Sequence, residues 1–243
     1  MPEETLAAAA AAAGDTHDAN AASAHLRHHA ANVDARADAN GQDPAPAPTV
    51  EHPAPCLIVV MGVSGSGKST LGHALGKAYG LPFLDGDDLH PPANVAKMSA
   101  GTPLTDADRA PWLVRIRTEA ERVGGRGAVV ACSALRRAYR DVLRGKRGAL
   151  GEIAGDTGEH AEGEEKRLRT VFVHPHGTRE SLVRRMESRT GHFMKASMLD
   201  SQLAVLEDPA EDGEGDVVCV GLDNAHHEQL DEAKEGLARL LGL

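Results

Sequence analysis

The stretch Gly62-Val-Ser-Gly-Ser-Gly67-Lys68-Ser69 restricts the possible folds of this chain more than any other. It fits G-x-x-x-x-G-K-[ST] at every fixed position, and its flanks are the ones that pattern needs. Upstream, CLIVVM is a short continuous apolar run that reads as a buried strand. Downstream, Leu71, Ala74, Leu75, Ala78 and Tyr79 recur at i, i+3, i+4, i+7 and i+8, which is one face of a helix. Strand, glycine loop and helix in that order make a phosphate cradle. The glycines let the backbone curl so that several N–H groups point inward, and the helix N-terminus adds partial positive charge. Lys68 then reaches the β- and γ-phosphates of a nucleoside triphosphate, and the Ser69 hydroxyl ligates Mg²⁺.

The rest of the chain repeats the alternation. LPFLDGDD is a short strand running into an acidic turn. PWLVRIRTEAERV is an amphipathic helix with Pro111 suited to its first turn. GAVVACSAL is a strand that opens into the helix RRAYRDVLR. RTVFVHP is a fourth strand, followed by TRESLVRRMESR with Thr178 as N-cap. DVVCVGL is a fifth strand, and a last helix aligns Leu230, Ala233, Leu237, Leu240 and Leu241. Strands alternating with helices of this length predict an α/β fold, a parallel sheet covered by helices on both faces.

Two segments break that rhythm. Residues 1–55 mix alanine, histidine and aspartate without a period and end in a proline-rich spacer, so they read as a disordered tail ahead of a domain spanning 56–243. The tail holds −6 of the formal net charge of −10. Residues 145–167 are glycine-rich and acidic and read as a surface insertion. An acidic chain is a poor general binder of nucleic acid or of a membrane surface. No run approaches the length of a membrane span. The alanine-rich start is too acidic for a secretory or mitochondrial signal. Three cysteines without C-x-x-C spacing suit a reducing compartment, and the cytoplasm is the expected location.

A phosphate cradle alone does not separate a kinase from a GTPase or a motor. No N-K-x-D guanine-reading string occurs. Asp85, Asp87 and Asp88 fall at the carboxyl end of the second strand, the edge where ligands bind in an open parallel sheet. A kinase needs a carboxylate there to orient the acceptor hydroxyl or to hold Mg²⁺ through water. Arg185 and Arg189 lie four apart where a helix gives way to a glycine-containing loop, a setting from which arginines can fold over a triphosphate. Arg136, Arg137 and Arg140 follow the third strand at the same edge, and one or more could meet an anionic acceptor.

The strings GVSGSGKST, FLDGDDLHPPANVAKMSAGTPLTDADRAPWL, CSALRRAYRDVLR and RMESRTGHFMKASMLDSQLAVLE together resemble the gluconokinase family, small P-loop kinases that phosphorylate D-gluconate at the 6-hydroxyl. The resemblance runs from about Pro55 to Leu243 apart from the insertion. It implies a nucleotide-kinase-like three-layer α/β/α sandwich with a lid. It implies ATP phosphates along Gly62, Val63, Ser64, Gly65, Ser66, Gly67, Lys68, Ser69 and Thr70, with Mg²⁺ at Ser69. Asp87 becomes the base that orients the acceptor, and Arg185 and Arg189 become lid arginines. His90, Lys97 and Arg109, with Arg136 and Arg140, become contacts for the hydroxyls and carboxylate of gluconate. A homodimer is compatible with the resemblance. The alternatives are another small-molecule kinase such as one resembling shikimate kinase, or a non-catalytic ATP-binding regulator. The tail, the insertion and Pro175 after the fourth strand depart from the family pattern.

Overall fold

Every residue of β1 (Cys56–Val60) is buried, which is why its sequence shows no alternation of polar and apolar side chains. In the computed structural model, which describes residues 55–123, 125–146, 148–150, 168–187 and 196–243, this strand is the centre of a five-stranded parallel sheet. The order is β2-β3-β1-β4-β5, with β2 at Phe83–Asp85, β3 at Gly127–Ala131, β4 at Arg169–His176 and β5 at Val217–Gly221. Cys56 lies opposite Gly127 on one side and Arg169 on the other. The tail up to residue 54, and 151–167 of the insertion, lie outside the described residues. The start of the insertion does not: Ala149 and Leu150 pack against the core.

Successive side chains of a strand point to opposite faces, so β1 feeds two cores. Leu57 and Val59 pack with Trp112, Leu113 and Ile116 of α3 (Asp106–Val123) and with Tyr139 and Leu143 of α4 (Arg137–Leu143). Cys56, Ile58 and Val60 pack with Leu71, Leu75 and Tyr79 of α1 (Lys68–Tyr79) and with Ala233, Leu237 and Leu241 of α7 (His226–Leu241). Helix layers thus cover both faces, as the alternation predicts.

A third, smaller cluster sits at the carboxyl end of the sheet. It joins Val63 and Leu135 to Leu182 of α5 (Arg179–Glu187) and Leu199 of α6 (Ala196–Val205). The expected Thr178 cap is present, its hydroxyl accepting from the Ser181 N–H at 3.2 Å. Helix α3 begins five residues before Pro111, so that proline lies inside the helix and not in its first turn. The cause is a reciprocal pair: the Thr105 hydroxyl accepts from the Asp108 N–H at 3.3 Å, and the Asp108 carboxylate accepts from the Thr105 N–H at 2.9 Å. Pro111 is tolerated because it and Ala107, whose carbonyl loses its helical donor, are both exposed to water. The short helix α2 (Pro92–Ser99), like α6, has no counterpart among the elements expected from periodicity.

Candidate active site

The glycine loop hangs from the sheet by backbone bonds. The Met61 N–H donates to the Val173 carbonyl at 2.8 Å, and the Gly62 N–H to the Ser133 carbonyl at 3.1 Å. Gly62 has φ +126°, and a Cβ there would press within 3.2 Å of Ser66 Oγ and 3.3 Å of the His174 ring. Gly67 caps α1 in the left-handed region. No side chain caps this helix and no acid lies in its first turn, so its leading N–H groups are left for an anion. Ser66 Oγ is buried without a hydrogen-bond partner at the same place. These are the features of a loop that fits phosphate.

Lys68 Nζ donates to the Val63 carbonyl at 3.0 Å. Ser69 Oγ donates to Asp85 Oδ2 at 3.0 Å, so the first turn of α1 and the end of β2 meet at a hydroxyl and a carboxylate. Asp85 also accepts from the Asp87 N–H at 3.1 Å and caps the 3-10 turn Gly86–Leu89. That turn holds Asp87 with its side chain exposed. Trp112 Nε1 donates to the Gly86 carbonyl at 2.7 Å and so anchors the turn to α3.

A polar wall continues from there. His90 stacks on Trp112 with ring centroids 4.0 Å apart. Partial burial lowers its pKa, with Arg109 acting the same way and Asp87 opposing. Asn94, buried in α2, reaches the Asp108 carbonyl at 2.8 Å and approaches His90 Nδ1 at 3.4 Å. Lys97 pairs with Asp108 at 2.6 Å, and hydrogen bonds from Lys97 and then Thr105 hold the Asp108 carboxyl down to about 2. The Arg109 guanidinium lies 5.6 Å over the Tyr139 ring. Tyr139 and Arg136 share the Asp106 carboxylate, Arg136 at 2.7 Å. Two groups result, His90 and Lys97 through Asn94 and Asp108, and Arg109 and Arg136 through Tyr139 and Asp106, and they adjoin where Asp108 and Arg109 are neighbours in α3.

Of the two arginines expected in a lid, Arg185 lies at the cradle, its Nη1 3.4 Å from where a Cβ on Gly67 would be. Arg189 lies outside the described residues. Arg140 does not join the wall. Its side chain is fully buried and donates to Glu214, to the Ala134 and Leu135 carbonyls and to the Glu207 carbonyl. Its five N–H groups are used inside the protein, so the expected contact with an anionic acceptor is corrected to a structural one. Gln202 is a residue the sequence reasoning passed over: its Oε1 accepts from the Ser64 N–H at 2.7 Å. Only its place in the SQ string quoted above marked it.

Residues 64–199 match the family model described as Shikimate kinase. The chain is 46% identical over 156 residues to a protein of Xenopus tropicalis named probable gluconokinase, covering 63% of this chain and 80% of that one. It is 46% identical over 162 residues to the gluconokinase of Gluconobacter oxydans, covering 65% and 79%. Among solved structures it is similar to a gluconokinase from Sinorhizobium meliloti, with a TM-score of 0.63, 45% identity and coverage of 77% of this chain and 94% of that one.

Proposed function

This chain belongs to the gluconokinase family, and we propose from that premise that it transfers the γ-phosphoryl group of ATP to the 6-hydroxyl of D-gluconate, giving 6-phospho-D-gluconate and ADP. The observation that carries the reading is the junction of the cradle with the polar wall. Ser69 in the first turn of α1 meets Asp85 at the end of β2, Asp87 follows two residues on, and the cations of the wall begin there. In the reaction the bond from the gluconate oxygen to the γ-phosphorus forms. The bond from that phosphorus to the bridging oxygen of ADP breaks, and the hydroxyl proton passes to the Asp87 carboxylate.

Lys68 and Arg185 carry the charge that spreads over the transferring group, and Arg189 is assigned to act with Arg185. The Ser69 hydroxyl and the Asp85 carboxylate are the donors for Mg²⁺, an ion held by one or two protein oxygens together with phosphates and water. Bound Mg²⁺ would draw charge from the phosphate oxygens. Lys97, Arg109 and Arg136 are assigned to the carboxylate and hydroxyls of gluconate, with His90 as a neutral polar contact. No helix among the described residues is long and apolar enough to cross a membrane. Three cysteines without C-x-x-C spacing suit a reducing cytoplasm.

The test is ADP release by the purified protein with Mg²⁺-ATP and D-gluconate, shikimate or no acceptor. Release that depends on gluconate is expected, and release that depends on shikimate alone would move the substrate assignment. Asp87→Asn should lower kcat by on the order of 10²-fold, the usual size of an acid–base term.

A further inference from the structure

The peptide unit joining Val63 to Ser64 is held at both ends. Its carbonyl accepts from Lys68 Nζ at 3.0 Å, and its N–H donates to Gln202 Oε1 at 2.7 Å. A peptide unit is planar, so the direction of its N–H fixes the opposite direction of its carbonyl. Gln202 comes from α6, 138 residues further along the chain. The helix that carries it is not free to drift, because Leu199 is fully buried against Val63, Leu182 and Leu222. The partner of the peptide N–H is therefore placed by packing.

We propose that Gln202 is a positioning residue for Lys68, acting through the Val63–Ser64 peptide. Its carboxamide oxygen keeps the Ser64 N–H turned away from the cradle and the Val63 carbonyl turned toward the ammonium. Without that acceptor the N–H loses its partner, and only the Ser66 N–H, at 3.3 Å from the Val63 oxygen, is left to keep the carbonyl in place for the lysine. Lysine is a point charge on a long flexible stem. Holding it beforehand removes an ordering cost that nucleotide binding would otherwise bear. Pre-set charge of this kind is also what a phosphoryl-transfer site needs. The inference rests on reading the cradle as an ATP site and is independent of gluconate.

The experiment is a double-mutant cycle on the full chain, read by calorimetric binding of Mg²⁺-ATP with no acceptor present. Gln202→Met keeps the length of the side chain and removes the acceptor. It should weaken ATP binding about tenfold, the upper range for one hydrogen bond. In a Lys68→Ala background the same change should leave the residual affinity unaltered, which a merely structural role would not produce. Wild-type affinity in Gln202→Met, or an equal loss with and without Lys68, would overturn the proposal. Should the methionine variant unfold on heating well below the wild type, Gln202→Ala takes its place in the same cycle. Gluconate-independent ATP binding that passes this cycle, in a protein inert toward gluconate, would count against the substrate assignment alone.

Discussion

The two ends of helix α4 treat arginine in opposite ways. Arg136, at the amino end, has 40% of its side chain exposed and faces one carboxylate, Asp106, that is itself 47% exposed. Arg140, one turn on, is wholly buried and meets Glu214, whose side chain is 3% exposed. Arg144 follows another turn later, pairs with the same Glu214 and with Asp216, and lies over Phe172 at 4.8 Å. Among the described residues the first arginine gives one side-chain hydrogen bond, to Asp106, and it is the one proposed to meet an anionic ligand. The other two spend theirs on tying 214–216 to the helix. Arg140 does more: its bonds to the Ala134 and Leu135 carbonyls hold a turn in which Ala134 has φ +43°, and the neighbouring Ser133 carbonyl takes the Gly62 N–H. A cation in the wrong place for catalysis thus supports the loop that performs it.

Removing the sealed arginine breaks the comparison most severely. Arg140→Ala leaves Glu214 on Arg144 alone and releases a left-handed alanine, so unfolding should become easier by up to about 3 kcal/mol, the low end for a broken buried pair. Denaturant titration measures this, and a loss under 1 kcal/mol would place the pair in the class of surface contacts.

His174 sharpens the contrast, because it is as buried as Arg140 but gives up its charge. Its Nδ1 has no partner, and burial lowers its pKa from 6.5 to about 4, with Asp208 opposing and His176, Arg140 and Lys68 assisting. The folded state holds this ring neutral while the unfolded chain protonates it. Stability is therefore complete above about pH 6.5 and declines as pH falls toward 4, by up to about 3 kcal/mol. His174→Phe should flatten that part of the pH–stability curve, and an unchanged slope would assign it to other groups.

The smallest effect belongs to the open arginine. Arg136→Ala should change stability by less than about 1 kcal/mol, since its ion pair is exposed. It should raise the KM for gluconate about tenfold if the guanidinium meets the carboxylate. An unchanged KM would leave Arg136 as a partner of Asp106 only.

Much of this architecture was legible in the residues. The cradle, all five strands and the Thr178 cap follow from local pattern, because glycine loops, apolar runs and caps are decided within a few residues. The start of α3 was legible in principle, through Thr105 and Asp108 three apart, but Pro111 drew attention to the wrong turn. Arg136 and Arg140 could not be told apart, since their difference lies in Glu214, which only the folded chain brings near. Gln202 is harder still. Its partner is a backbone N–H, and backbone groups carry no letter in a sequence.

The strand order has a consequence for how the chain is made. Of the five strands described, β1 is the first to be synthesised, yet its neighbours are the strands that begin near Gly127 and Arg169. The carbonyls that suspend the glycine loop, those of Ser133 and Val173, arrive with them. A chain emerging amino end first therefore carries its phosphate loop well before anything can hold it in shape. Pairing over such separations is slow, and the apolar CLIVV run remains open to other contacts meanwhile. The capacity to bind nucleotide is thus acquired late in the life of the nascent protein, when the second half of the sheet closes around the first.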